Sequence, residues 1–183
     1  MRTYRRRLPH IDAPGVSAFL TWSLSGSLPR ERAFERDHIT SGEEFVACDR
    51  LLDTARFGPF YLGQTQIASI VNEQLRKVDA DGLCKLHAFV IMPNHVHLLC
   101  APVVSIAELV RRVKGPTALL ANGILGQRGQ KFWQEEYFDR IVRNDDEFRR
   151  IVRYIQWNPV KAGLAANPEE YRWSSAYKNG ERG

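Results

Sequence analysis

The chain has 183 residues, and 44% of them are hydrophobic, which excludes a wholly disordered polypeptide. Its 26 lysines and arginines outnumber 21 acidic residues, and the net charge of +5 favours polyanionic partners. The length predicts one domain over residues 1–183, with a basic arm over about residues 1–15 and a short tail over about residues 160–183. The three scattered cysteines fit no disulfide framework, and no apolar run is long enough to span a membrane, so we expect a cytoplasmic protein.

The first half of the chain predicts a strand, a helix and a strand pair. Residues 16–24 are rich in β-branched and aromatic side chains and predict a strand. Residues from Ser25 to about Phe60 appear irregular, apart from a short helix in EEFVACDRLLDTA. Apolar side chains recur at helical spacing over residues 65–79. Residues 84–92 and 95–102 predict two strands joined by a tight Pro-Asn turn.

The second half of the chain begins with a capped helix. Ser105, followed by Glu108, is a capping-box pattern that predicts a helix start. The Gly115-Pro116 pair is predicted to interrupt or kink this helix, which then resumes through TALLANGIL. Residues 136–143 predict a further strand.

The last helix has the clearest pattern, over residues 144–159. Asn144 suits its N-cap, the acidic first turn suits the helix dipole, and Pro159 is predicted to end it. The first six elements then follow the βαββαβ order of a ferredoxin-like sandwich. We therefore expect an α+β fold, with an antiparallel sheet, helices on one face and a C-terminal tyrosine-bearing helix.

The strand sequence HVHLL carries a histidine pair. Side chains two residues apart in a strand point the same way, so His95 and His97 project together. Two imidazoles at that spacing can share one divalent metal. Separate hydrogen-bond partners at the rim of the core are an equally good interpretation, and zinc is a further one, although the cysteines are not placed to complete a structural zinc site.

The last helix carries a second pattern. Its apolar stripe consists of Phe148, Ile151, Val152 and Ile155. Tyr154 and Asn158 lie four residues apart on one flank of that stripe, where their polar groups can reach a site on the sheet. An amphipathic boundary tyrosine is the competing interpretation.

PNHVHLL, YIQWNPVKAGL and YRWSS together resemble the HUH single-tyrosine transposases. Within that group the chain is similar to the REP-associated tyrosine transposases, which act on repetitive extragenic palindromes in bacterial genomes. The resemblance runs through nearly the whole chain, from YRRRLPHIDAPG to PEEYRWSSA.

The resemblance implies roles for four residues. His95, His97 and Asn158 would bind a divalent metal, Mg²⁺ or Mn²⁺, and Tyr154 would be the nucleophile. No small-molecule cofactor is expected. The alternative tyrosines are Tyr137, Tyr171 and Tyr177, but none has an amide four residues on in a clear helix.

The resemblance also implies a substrate. Single-stranded DNA next to a palindromic, REP-type hairpin would be cut to leave a 5′-phosphotyrosine and a free 3′-OH, followed by strand transfer or rejoining. Some relatives dimerise and place the tyrosine helix of one subunit on the histidines of the other, whereas the REP-associated kind is expected to act as a monomer. The predicted DNA-contacting residues are Arg5, Arg6, Arg7, Arg149, Arg150 and Arg153.

Several interpretations stay open. Trp157 or Trp173 can stack on unpaired bases, although packing is the commoner role. His87 can support the metal site from behind, but an ordinary sheet histidine is the simpler interpretation. The alternative functions are a domesticated palindrome-binding protein without cleavage activity, and a zinc hydrolase with no nucleic-acid role.

Overall fold

A four-stranded antiparallel sheet organises the chain. The computed structural model describes residues 2–5, 9–12, 15–27, 52 and 58–178. The strands are β1 (Arg2–Arg5), β2 (Pro9–Asp12), β3 (Ala18–Ser23), β4 (Cys84–Ile91), β5 (His95–Pro102) and β6 (Phe138–Ile141). The helices are α1 (Thr65–Ala80), α2 (Ile106–Ile124) and α3 (Asp145–Lys161), with 3₁₀ turns at Tyr61–Gly63 and Pro168–Glu170.

The strand order of the main sheet is β4–β5–β3–β6, and every neighbouring pair is antiparallel. Together with α1 and α2 as crossovers, this is the ferredoxin-like topology that the order of elements predicts. The α+β fold class is therefore confirmed. In the segment predicted as a basic arm, β1 and β2 form a separate two-stranded hairpin, with Arg2 opposite Asp12.

The two faces of the sheet bury different apolar clusters, because side chains alternate along each strand. One face packs against α1 and α2 and carries the larger cluster, which includes Leu20, Trp22 and Leu98. The other face packs against α3. Its smaller cluster consists of Phe19, Ala88, Val90, Met92, Leu99 and Ile155. Odd-numbered residues of β5, His95 and His97 among them, point to this second face.

Of the two outcomes predicted at Gly115-Pro116, an interruption or a kink, the interruption is wrong, since α2 continues through both residues. Proline has no N–H, so the carbonyl of Arg112, four residues earlier, loses its helical donor. The side-chain amide of Gln74 on α1 donates to that carbonyl at 2.8 Å. A neighbouring helix thus replaces the missing hydrogen bond.

The predicted helix end at Pro159 is also wrong, because α3 continues to Lys161. The fixed φ of proline fits a helix, and only one hydrogen bond is lost this close to the C-terminus. The turn closes with Ala162 N–H donating to the Asn158 carbonyl at 3.0 Å and Leu164 N–H donating to the Pro159 carbonyl at 2.8 Å. The flank that carries Tyr154 is therefore longer than predicted.

The segment after α3, predicted as a short tail, packs along the outer edge of β4. Ile91 N–H donates to the Trp173 carbonyl at 2.8 Å, and Ser175 N–H donates to the Phe89 carbonyl at 2.9 Å. Such pairing covers an otherwise open strand edge.

Some predictions lie outside the described residues. These are the side chains of Arg5, Arg6 and Arg7, as well as Cys48 and nearly all of the predicted helix in EEFVACDRLLDTA. Within the described ranges, no helix is long and apolar enough to cross a membrane.

Candidate functional site

The two histidines lie side by side on β5, on the face covered by α3. Both are 0% exposed. Their Nε2 atoms are 3.1 Å apart and their ring centroids are 4.7 Å apart. Two nitrogen donors that converge in this way can share one cation.

The Nδ1 atom of each ring has a buried hydrogen-bond partner on the side away from the two Nε2 atoms. Asn94 Oδ1 lies 2.6 Å from His95 Nδ1, and the amide of Asn94 donates to the Leu52 carbonyl at 3.0 Å. An amide oxygen only accepts, so the proton of His95 lies on Nδ1 and the lone pair of Nε2 faces the site.

Thr21 has the corresponding role for the second histidine. Thr21 Oγ1 lies 2.8 Å from His97 Nδ1, because the β3–β5 register places Thr21 directly opposite His97. Buried neighbours therefore orient both imidazole rings, as in protein metal sites.

Asn158 reaches the same point from α3. It is 0% exposed, and its Nδ2 lies 3.4 Å from His97 Nε2. Its Oδ1 is buried and has no hydrogen-bond partner within the described part of the chain. A half-turn of the amide exchanges the two atoms and directs Oδ1 at the histidines. An unpartnered buried oxygen costs about 1–3 kcal/mol, which a cation there would offset.

The donor set is therefore two imidazole nitrogens and one amide oxygen. Among the described residues, no group of three His, Cys, Asp or Glu side chains is arranged to hold a metal. Asn158 is accordingly the candidate third ligand, and the residues fit a divalent cation that accepts nitrogen and oxygen donors.

Tyr154 lies one helical turn before Asn158, at the edge of the buried site. Its ring centroid is 5.5 Å from that of His97 and 6.2 Å from that of Phe19. Lys161 Nζ lies 5.0 Å from the same ring centre. The ring is only half-buried, so a substrate can approach it from solvent.

The other tyrosines are placed differently. The Tyr171 hydroxyl donates to the Ile91 carbonyl at 2.9 Å, and burial raises the pKa of Tyr171 to about 12. Tyr137 belongs to the core on the opposite face of the sheet, and Tyr177 is exposed beyond α3. The structure therefore places Tyr154, and none of these three, beside the histidine pair.

His87 lies away from the site. Its ring packs edge-on against Phe148 near the start of α3, and its Nε2 is 3.4 Å from Ser17 Oγ. Burial lowers the pKa of His87. These contacts fit the simpler interpretation of an ordinary sheet histidine.

The predicted DNA-contacting arginines of α3 are exposed on its outer side. Arg149 pairs with Asp146 at 2.7 Å, whereas Arg150 and Arg153 have no ion pair within the described residues. Trp157 is 40% exposed and stays available for base stacking. Trp173 is half-buried, with the Arg172 guanidinium 5.0 Å from its ring centre.

Sequence reasoning missed three residues that contact the site. Asn94 directly precedes His95, so its position in the turn was a usable signal. Lys161 follows Tyr154 by seven residues, a spacing that returns to the same helix flank, but the helix was predicted to end too early. Thr21 gave no signal, because only the strand register brings it to His97.

Comparison with known families gives one match over residues 61–158, to the model of IS200-like transposases. That range contains all four clustered residues. The REP-associated tyrosine transposase of Escherichia coli (strain K12) is 25% identical over 108 residues, which is 58% of this chain and 63% of the relative. An uncharacterised protein of Haemophilus influenzae is 28% identical, over 42% of this chain and 54% of its own length. The match thus spans less than two thirds of either relative.

A solved structure of a REP-associated tyrosine transposase bound to a REP hairpin has a similar fold. The TM-score is 0.60 at 20% sequence identity, and the match covers 96% of this chain and 82% of the other. The resemblance predicted from the motifs is confirmed by these matches.

Proposed function

Because the chain belongs to the family of IS200-like transposases, we propose that it cuts and rejoins single-stranded DNA through Tyr154. The observation that carries the proposal is the convergence of His95, His97 and Asn158 beside Tyr154. The first three residues are fully buried and the tyrosine is partly exposed, which is the arrangement that a fixed cation site with an accessible nucleophile requires.

His95, His97 and Asn158 would hold Mg²⁺ or Mn²⁺. The cation, when bound, would supply positive charge to an oxygen of the scissile phosphate. All three ligands are neutral, so none of that charge is cancelled by the protein. Thr21 and Asn94 keep the two imidazoles aimed at the site, and the buried position of all three ligands excludes competing water.

Tyr154 would make the covalent bond. Its phenolic oxygen attacks phosphorus, so a Tyr154 Oη–P bond forms while the P–O3′ bond breaks. The electron pair of that bond goes to O3′, which takes up a proton and leaves as a 3′-OH, and the phenol proton passes to solvent. One phosphodiester has replaced another, so the 5′-phosphotyrosine retains the bond energy and rejoining needs no ATP.

The substrate class comes from the relatives and from the charge of α3. A similar fold has been solved with a REP hairpin, and we extend that substrate to this chain: a single strand next to a palindromic hairpin. Arg150 and Arg153 would contact phosphates, and the exposed face of Trp157 would stack on an unpaired base. Since α3 lies on the histidines of its own chain, one copy supplies every group, which favours a monomer.

The direct test is adduct formation. The protein is incubated with Mg²⁺ or Mn²⁺ and single-stranded DNA that carries a REP hairpin, and denaturing electrophoresis detects DNA linked to protein. The adduct is expected with the parent protein but not with Tyr154→Phe. It is also expected with Tyr171→Phe, because the Tyr171 hydroxyl of the parent donates to a carbonyl of the sheet and lies away from the histidines. An adduct on Tyr154→Phe would refute the assignment. Tight hairpin binding without any adduct would favour the palindrome-binding alternative.

A further inference from the structure

The Lys161 side chain is a cation placed over the ring of the candidate nucleophile. Its Nζ lies 5.0 Å from the centre of the Tyr154 ring. Seven residues are nearly two helical turns, so the two side chains lie within about 20° of each other around α3. This alignment exists because α3 continues past Pro159.

Some basic side chains of the helices have an acidic partner within the described residues, whereas Arg150 and Arg153 have none. Arg149 pairs with Asp146, and Arg112 pairs with Glu108. Lys161 has no ion pair within the residues that the structure describes. Its contact with the aromatic ring is worth about 0.5–1 kcal/mol at an exposed site, and it leaves the three N–H donors of the ammonium free to bind an anion.

The chemistry proposed for Tyr154 needs such a donor. Negative charge is spread over the non-bridging phosphate oxygens during phosphoryl transfer. The buried groups beside Tyr154 are imidazoles and an amide, and in their neutral forms they bring no charge of their own. Lys161 is the basic side chain that contacts the Tyr154 ring, with Nζ 5.0 Å from the ring centre, so a phosphate that approaches the Tyr154 hydroxyl comes close to this ammonium.

We propose that Lys161 is a further catalytic residue, whose ammonium binds a non-bridging oxygen of the phosphate that Tyr154 attacks. This inference rests on the proposed function. Lys161 keeps its proton throughout: the Tyr154 Oη–P bond forms and the P–O3′ bond breaks, while the ammonium donates hydrogen bonds to an oxygen that stays on phosphorus.

The first experiment measures the rate of adduct formation. Removal of one buried donor to a developing charge typically slows a reaction about 100- to 1000-fold. Lys161 is exposed and its charge is screened by solvent, so Lys161→Met should slow adduct formation less, about 10- to 100-fold. Lys161→Arg retains the charge and should recover most of the rate. Lys178→Met is the matched control, because Lys178 is exposed and pairs with Glu169 at 3.8 Å instead of contacting Tyr154. Parent-like rates for Lys161→Met would overturn the proposal.

The second experiment measures binding and does not depend on cleavage. In the Tyr154→Phe background, Lys161→Met is titrated with hairpin DNA in which one uncharged methylphosphonate is moved linkage by linkage along the single-stranded flank. With all-phosphate DNA the substitution should weaken binding about 3- to 10-fold. When the methylphosphonate is at one linkage, the one that the parent protein cuts, the proteins with and without Lys161→Met should bind equally well.

The outcomes separate the two proposals. If Lys161 only packs on the ring at position 154, its substitution weakens binding equally for every linkage, and the inference is wrong. If no variant forms an adduct yet one linkage still responds to Lys161, the cleavage function fails while the phosphate contact stands.

Discussion

Replacing Thr21 by valine removes the hydroxyl that holds His97 while keeping the shape of the side chain. The hydroxyl lies 2.8 Å from His97 Nδ1, and the two side chains are 6% and 0% exposed, so water cannot take its place. The loss should lower the free energy of unfolding by about 1–3 kcal/mol, which is the cost of leaving a buried polar group without this partner.

The larger expected effect is on metal binding. Substitution of a side chain that orients a ligand typically weakens metal affinity 10- to 100-fold, or about 1.4–2.7 kcal/mol. We therefore expect Thr21→Val to weaken Mn²⁺ binding by a factor in this range, measured by isothermal titration calorimetry at fixed pH. Urea denaturation of the same preparations measures the change in stability.

Thr117→Val is the matched control. Thr117 is as buried as Thr21, and its hydroxyl accepts from Trp133 Nε1 at 2.9 Å and donates to the Val113 carbonyl at 2.7 Å, on the opposite side of the sheet. It should lose similar stability and retain parent-like Mn²⁺ affinity. Parent-like affinity in Thr21→Val, or an equal loss in Thr117→Val, would refute the reasoning that the hydroxyl acts through His97.

Three further predictions concern stability. Burial raises the pKa of Tyr171 to about 12. The Tyr171 hydroxyl therefore loses its proton at a lower pH in the unfolded chain than in the folded one, and the free energy of unfolding should fall between pH 10 and pH 12. This fall should be smaller in Tyr171→Phe when urea denaturation is measured at several pH values in that range. Burial lowers the pKa of Lys114 from 10.5 to about 8. Between pH 8 and pH 10.5 the unfolded chain therefore holds more protons than the folded one, and the free energy of unfolding should rise with pH by up to about 3 kcal/mol. A free energy of unfolding that stays constant over this range, or that rises equally in Lys114→Met, would contradict this. Gln74→Met should lower the free energy of unfolding by about 1 kcal/mol in the parent protein, because the Arg112 carbonyl loses its donor. The loss should be smaller in Pro116→Ala, where the new backbone N–H can donate to that carbonyl. Equal losses in a double-mutant cycle would show that the Gln74 amide does not replace the missing helical hydrogen bond.

The sequence was sufficient for the parts of the site that depend on local periodicity. The period of a strand predicted that His95 and His97 project together, and the period of a helix predicted that Tyr154 and Asn158 share a flank. Both arrangements are present. The order of elements likewise predicted the ferredoxin-like sheet.

Contacts between distant segments could not be predicted in this way. Thr21 reaches His97 across 76 positions, and a shift of one residue in strand register would turn its side chain to the other face. Because the helix was predicted to end at Pro159, Lys161 was not placed on the flank of Tyr154 and was missed. Proline removes one hydrogen bond, and near a helix end the chain can tolerate that loss.

The two apolar clusters of the core differ in size, and this difference affects which part of the domain can unfold locally. α3 is held by the small cluster around Ile155, whereas the sheet, α1 and α2 share the large one. The helix can therefore detach as a local unfolding unit while the rest of the domain keeps its structure, and its amides should exchange hydrogen with solvent sooner than those of α1. Because the proposed nucleophile and the proposed amide ligand lie on that one helix, a single opening event would separate both of them from the histidines.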